Sequence, residues 1–216
     1  MPRPAPLRAG LRASAALWAL AAMALLLPLT LSCRGGSAVP AGPAAAPGAI
    51  PGLADLAHEG ESVLFARRFP LGPAPAGGEA PRALVVVVRM TDGHEEMRVG
   101  EPAGAGFAQV HATRPGDEFR NLAIEDINGD GRPEIVGRWA GGQLEVVEVI
   151  GRAPAGGWRS LLQNAGQEIE ERRRADRTVA FWITSRTYEE GESGLPPVYE
   201  TRVWNWDGAA FSEESR

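Results

Sequence analysis

The sequence predicts a mainly β protein made of small antiparallel sheets, preceded by a basic-then-apolar leader and a flexible tether. Three observations carry that prediction. After residue 59 the apolar runs are short, rich in Val, Ile and aromatic residues, and closed by Gly, Pro or Asp, as strands are. A Gly-Gly pair in WAGGQ (139–143) separates two such runs, a hairpin signal. The single segment with helix-like charge spacing, QEIEERRRADR (167–177), holds too few apolar residues to bury a helical face.

In chain order, the leader comes first. Arg3, Arg8 and Arg12 precede an uncharged apolar stretch, 13–31, as in an export signal. The stretch is also about long enough to span a bilayer, so an uncleaved anchor is one alternative, and plain secretion is the other. It ends at TLSC, 30–33, and Cys33 is the only cysteine in the 216 residues. This ending resembles the lipobox of bacterial lipoproteins, with the small Ser32 before the cut and Thr30 where that family has Leu. The resemblance implies that residues 1–32 are a cleaved signal peptide and that Cys33 carries lipid. A lone cysteine in an exported chain makes sense if lipid consumes it, and it leaves the fold without disulfides. Acyl chains contribute about 0.8 kcal/mol per buried methylene to membrane attachment. If the envelope has two membranes, Arg34 lacks the Asp that favours inner-membrane retention, so the resemblance implies the outer membrane or cell surface.

Charge narrows the partner classes. The full chain has 22 basic and 27 acidic residues, net −5; removing the three leader arginines leaves 19 against 27, net −8. That balance argues against nucleic acid and makes divalent cations natural partners. Residues 33–58 contain RGGSAVPAGPAAAPGAIPG (34–52), an Ala/Gly/Pro tether that would lift a domain from the membrane. The expected β domain is 59–216, interrupted by a second Pro/Gly patch at 70–81 that reads as a loop. Its strand candidates are ALVVVVRM (83–90), PEIVGRW (133–139), QLEVVEVI (143–150), TVAFWIT (178–184) and ETRVWNW (200–206). QLEVVEV reads as half-buried, with Leu144 and Val146 on one face and Glu145 and Val147 on the other.

Weak repetition runs through the domain. EFRNLAI (118–124) and GWRSLLQ (157–163) share an aromatic-Arg-polar-Leu core. RADRTVAFW (174–182) falls where a second copy of DGRPEIVGR is expected, keeping only Asp176 of its acidic residues. WDGAAF (206–211) and AGAGFAQV (103–110) both read as a turn followed by a strand.

The chemistry concentrates in IEDINGDGRPEIVG (124–137). Side-chain oxygens fall at every second place, Asp126, Asn128 and Asp130, and again at Glu134; Arg132 in the series offers its backbone carbonyl. Calcium takes six to eight hard oxygen ligands, and Gly129 and Gly131 permit the tight turns that wrapping an ion requires. Gly137 stands where an EF-hand needs a bidentate Glu, and a strand follows instead of a helix, so this is no EF-hand. The same residues also make good turns with no metal. DINGDGRPEIV resembles the calcium loop of FG-GAP and VCBS-type repeats, the blade units of integrin-like β-propellers, with Glu134 in place of the more usual Asp. The resemblance implies a calcium cofactor held by Asp126, Asn128, Asp130, Arg132 and Glu134. It also implies small blade-like sheets, three or four in number, in a partial or short propeller-like arrangement.

Other features carry less. His58, His94 and His111 have no ligand-like spacing. GESG (191–194) lacks the closing glycine of a nucleophile elbow and reads as a loop. EERRR (170–174) reads as an exposed salt-bridged run. Trp139, Trp158, Trp182, Trp204 and Trp206 serve either a disulfide-free core or a stacking surface for sugars; Trp204 and Trp206 share a strand face, which suits either role. The expectation is a lipid-anchored cell-envelope protein, not an enzyme, whose calcium-stabilised β domain binds a protein or polysaccharide partner. A calcium-supported envelope hydrolase and a passive envelope component are the alternatives; no carboxylate pair stands in a recognisable acid-and-nucleophile setting.

Overall fold

The computed structural model describes residues 50–153, 155–187 and 197–215; Cys33 and the leader, tether residues 33–49 and the GESG loop lie outside them. Among the described residues no helix is long and apolar enough to cross a membrane. The chain here is mainly β. Among the described residues twelve strands form three four-stranded antiparallel sheets, each a meander of consecutive strands. The first contains β1 (Ser62–Pro70), β2 (Arg82–Arg89), β3 (Glu95–Ala103) and β4 (Gly106–Thr113). The second contains β5 (Glu118–Glu125), β6 (Glu134–Gly141), β7 (Leu144–Arg152) and β8 (Trp158–Gly166). The third contains β9 (Glu168–Arg173), β10 (Val179–Thr187), β11 (Val198–Trp206) and β12 (Phe211–Glu213).

Strand periodicity sorts the apolar residues into layers. In β2, Val85 and Val87 join a core with Ile135, Trp139, Val146 and Ile150 of the second sheet. The intervening Leu84, Val86 and Val88 face the other way, onto Leu53 and Leu56. In β7, Val146 and Ile150 face the first sheet, whereas Val147 and Val149 meet Ile169, Phe181 and Ile183 of the third. The order is therefore N-terminal segment, first sheet, second sheet, third sheet. Packing begins at Leu53 and Leu56, before residue 59, with one 3-10 turn at Leu53–Asp55 laid on the first sheet.

Being sandwiched corrects the reading of QLEVVEV as half-buried: β7 is buried on both faces from Val146 to Gly151. QEIEERRRADR contributes an edge strand, β9, with Ile169 its buried residue. The WAGGQ hairpin is present between β6 and β7, with Gly142 at φ 63. The topology separates one proposed repeat pair. EFRNLAI lies in the first strand of the second sheet and GWRSLLQ in the last strand of that same sheet. The acidic loop and the Asp176 turn, by contrast, each lead into the second strand of their sheets, and AGAG and WDGA each lead into a fourth.

Polar groups stitch the layers together. Glu95, 2% exposed, accepts the Phe119 N–H across the first interface. Glu148 in mid-β7 accepts from the Thr113 hydroxyl at 2.9 and 3.1 Å. Glu101 accepts the Trp158 indole N–H at 2.6 Å and pairs with Arg152. Across the second interface, Arg138 donates to the Ile169 carbonyl at 3.2 Å and pairs with Glu171 at 2.6 Å.

Candidate functional site

The acidic loop joins β5 to β6. Its alternating oxygens fold it by capping its own backbone. The Asp126 carboxylate accepts the Gly129 N–H at 2.7 Å and the Gly131 N–H at 3.0 Å. Asn128 Oδ1 accepts from Asp130 N at 2.9 Å, and Asp130 Oδ1 from Arg132 N at 2.8 Å. Gly129 at φ 80 and Gly131 at φ 81 take the left-handed conformation that these turns need and that a Cβ penalises.

Glu134, the first residue of β6, closes the loop from beneath. It is 2% exposed and accepts the Ile127 N–H and the Asn128 amide N–H, both at 3.0 Å. Burial pushes its carboxyl up to about 7, against the pull of the Ile127 N–H, and the charges of Asp130 and Asp126 add to the rise. Burial also raises Glu148, against its bonds to Thr113 and Ser160.

The loop's other side is fixed to the third sheet. The Ile127 carbonyl accepts the Val179 N–H at 2.8 Å. Arg173 donates to the Asp126 carbonyl at 3.3 Å and pairs with Glu125 at 2.6 Å. The loop is thus a seam between the second and third sheets.

Three carboxylates and an amide oxygen are hard donors of the kind calcium prefers. Glu134 and Asn128 are in contact, yet the set turns its oxygens onto backbone N–H groups. Among the described residues no group of three or more His, Cys, Asp or Glu side chains is placed to hold a metal ion. The donor chemistry therefore fits a hard cation, while these side-chain positions do not converge on one point. Arg132 is exposed, and its N–H is held by Asp130.

The tryptophans divide by role. Trp139 is fully buried, edge-on to Phe119 at 5.9 Å. Trp182, on the solvent side of β10, carries the Arg172 guanidinium 3.8 Å from its ring centre. Trp204 and Trp206 are both half-buried against the core between the second and third sheets, and Trp206 is edge-on to Phe211 at 5.5 Å. EERRR is paired as expected of a solvated run, through Glu170–Arg172, Glu171–Arg138 and Arg173–Glu125. His58 and His94 are exposed; His111 is half-buried, its pKa lowered by burial and its Nε2 without a partner. Sequence reasoning missed the buried carboxylates Glu95 and Glu148. The one available signal was Glu148 standing inside the apolar run VVEVI.

Compared with protein-family models, curated proteins and solved structures, the chain has no match.

Proposed function

We propose that the protein is an exported, lipid-anchored component of the cell envelope whose β domain binds an envelope partner without catalysing a reaction. In this reading Cys33 carries the lipid and residues 34–52 the spacing. Calcium rests on Asp126, Asn128, Asp130, Glu134 and the Arg132 carbonyl, as in FG-GAP and VCBS-type blades. The supporting observation is the loop's position as a seam: it holds Val179 and Arg173 of the third sheet while its base, Glu134, opens a strand of the second. A cation there would neutralise Asp126, Asp130 and Glu134 together and fix both sheets through one turn. At a dissociation constant of about 10⁻⁴ M and about 1 mM calcium, mass action stabilises by roughly 1.4 kcal/mol.

The test is a thermal melt of the full-length chain in detergent, in calcium and in EDTA, beside Asp130→Ala. Calcium raises the midpoint of the wild type and leaves the variant unmoved. Equal midpoints for both proteins in both buffers remove the metal from this reading.

A further inference from the structure

On the core-facing side of the third sheet, next to β8, lies a depression of about 250 Å³. The register sets Ile183 beside Arg202 and Ser185 beside Glu200, so alternate residues of β10 and β11 share this face. Trp204 and Thr187 continue it, and Asn164 of β8 supplies the opposite wall. The volume falls just below the ~300–1,000 Å³ of drug-sized sites, a space for one ring rather than an extended ligand.

The lining presents two kinds of chemistry side by side. Trp204 is half-buried and, unlike Trp206, stacks on no other ring among the described residues. Its indole offers a flat apolar face. Around it stand groups already half-used. Ser185 Oγ donates to the Ala165 carbonyl at 3.5 Å and Thr187 Oγ1 to the Val198 carbonyl at 3.2 Å, so their lone pairs remain as acceptors. Asn164 Oδ1 accepts the Ala165 N–H at 2.8 Å, which leaves its amide NH2 to donate. Glu200 and Arg202 pair at 3.2 Å, and Arg202 reaches Glu213 at 3.5 Å. The lining itself thus carries one anion and one cation, Glu200 and Arg202, already paired with each other. An anionic ligand meets no unpaired cation among these lining residues, while acceptors on Glu200 and donors on Arg202 stay within reach of solvent.

A flat apolar platform ringed by both donors and acceptors, with balanced charge, is complementary to a pyranose, whose C–H face is apolar and whose hydroxyls donate and accept. We propose that this depression binds one ring of a neutral saccharide, with Trp204 as the stacking platform and Glu200, Arg202, Ser185 and Asn164 reading the hydroxyls. This rests on the binding role proposed above and gives that role a ligand class.

The experiment is isothermal titration of the full-length chain, in a detergent without a sugar headgroup, with neutral trisaccharides of glucose, galactose, mannose and N-acetylglucosamine. At least one binds with a Kd of about 1 mM or tighter. Trp204→Ala, and independently Glu200→Gln and Ser185→Ala, weaken it at least tenfold. Trp182→Ala, on the opposite face of the same sheet, leaves it unchanged. The two polar variants keep the test valid if Trp204→Ala fails to fold. Absence of binding by every trisaccharide, or binding unaffected by all three variants, overturns the proposal. Lost sugar binding in a protein that still gains thermal stability from calcium counts against this site alone, not against the calcium seam.

Discussion

Glu134 shows how much one buried carboxyl can do. Its carboxyl titrates at about 7 in the folded chain against an ordinary value of 4.5. Below pH 4.5 the group is protonated in both folded and unfolded states and costs nothing. As pH rises from 4.5 to about 7 the unfolded chain releases this proton first, so stability falls, by roughly 3 kcal/mol over the window, and then levels. Calcium on the loop would favour the ionised form and remove the fall. Melts between pH 5 and 8 are expected to drop with pH in EDTA and less steeply in calcium; Glu134→Gln makes the drop in EDTA shallower as well, the remainder belonging to Glu148, whose carboxyl burial also raises. A second residue-scale prediction concerns Arg177, the one described non-glycine residue at positive φ, 73°. It ends the turn before β10 in a conformation that costs an L-residue about 1–2 kcal/mol. Its carbonyl, not its side chain, receives Arg173 at 2.9 Å, so Arg177→Gly keeps the contact and relieves the strain. Allowing for the added freedom of the unfolded chain, the melting temperature is expected to rise by about 2–4 °C.

At the scale of elements, the sequence was legible where local chemistry decides and opaque where neighbours do. The β6–β7 hairpin followed from Gly141 and Gly142, and the strand in ALVVVVRM from its unbroken β-branched run. β7 was misread because alternation predicts one wet face, and only a third sheet covering Val147 and Val149 removes it. β9 was equally obscure: Glu168 and Glu170 to Arg173 are exposed, and Ile169 alone marks the buried side. The loop's turn-forming oxygens were legible as well, but not Glu134's burial or the carboxylates Glu95 and Glu148 between sheets. Close approach is another property no single residue reveals. Gly137 of β6 lies beneath the Trp139 ring, where an added Cβ would come within 2.1 Å of Cζ3. Since Trp139 is itself fully buried, the ring has nowhere to retreat. Gly137→Ala is expected to destabilise by about 3 kcal/mol, read as an earlier midpoint in urea with an unchanged slope.

At the largest scale, the three sheets of the described residues stack in chain order, the third against the second. The side of the third sheet away from the second carries Trp182 under Arg172 with Glu168, Glu170 and Thr184 around it, a largely polar surface. That layer is held by the core around Phe181 and by the polar seam at the acidic loop. Calcium on the loop is therefore expected to protect residues that it does not touch. Hydrogen exchange of the full-length chain should slow with calcium not only in 126–134 but also at Val179, whose N–H is bonded to the Ile127 carbonyl at 2.8 Å, and along β9 and β10. Opening of the third sheet has to break that bond, so stabilising the loop raises the free energy of the opening. Asp130→Ala should abolish the protection in both places, and Arg173→Ala should reduce it in β9 and β10 while sparing 126–134. Protection confined to the loop would mean that the third sheet opens independently of it, leaving calcium a local brace rather than a clamp between layers.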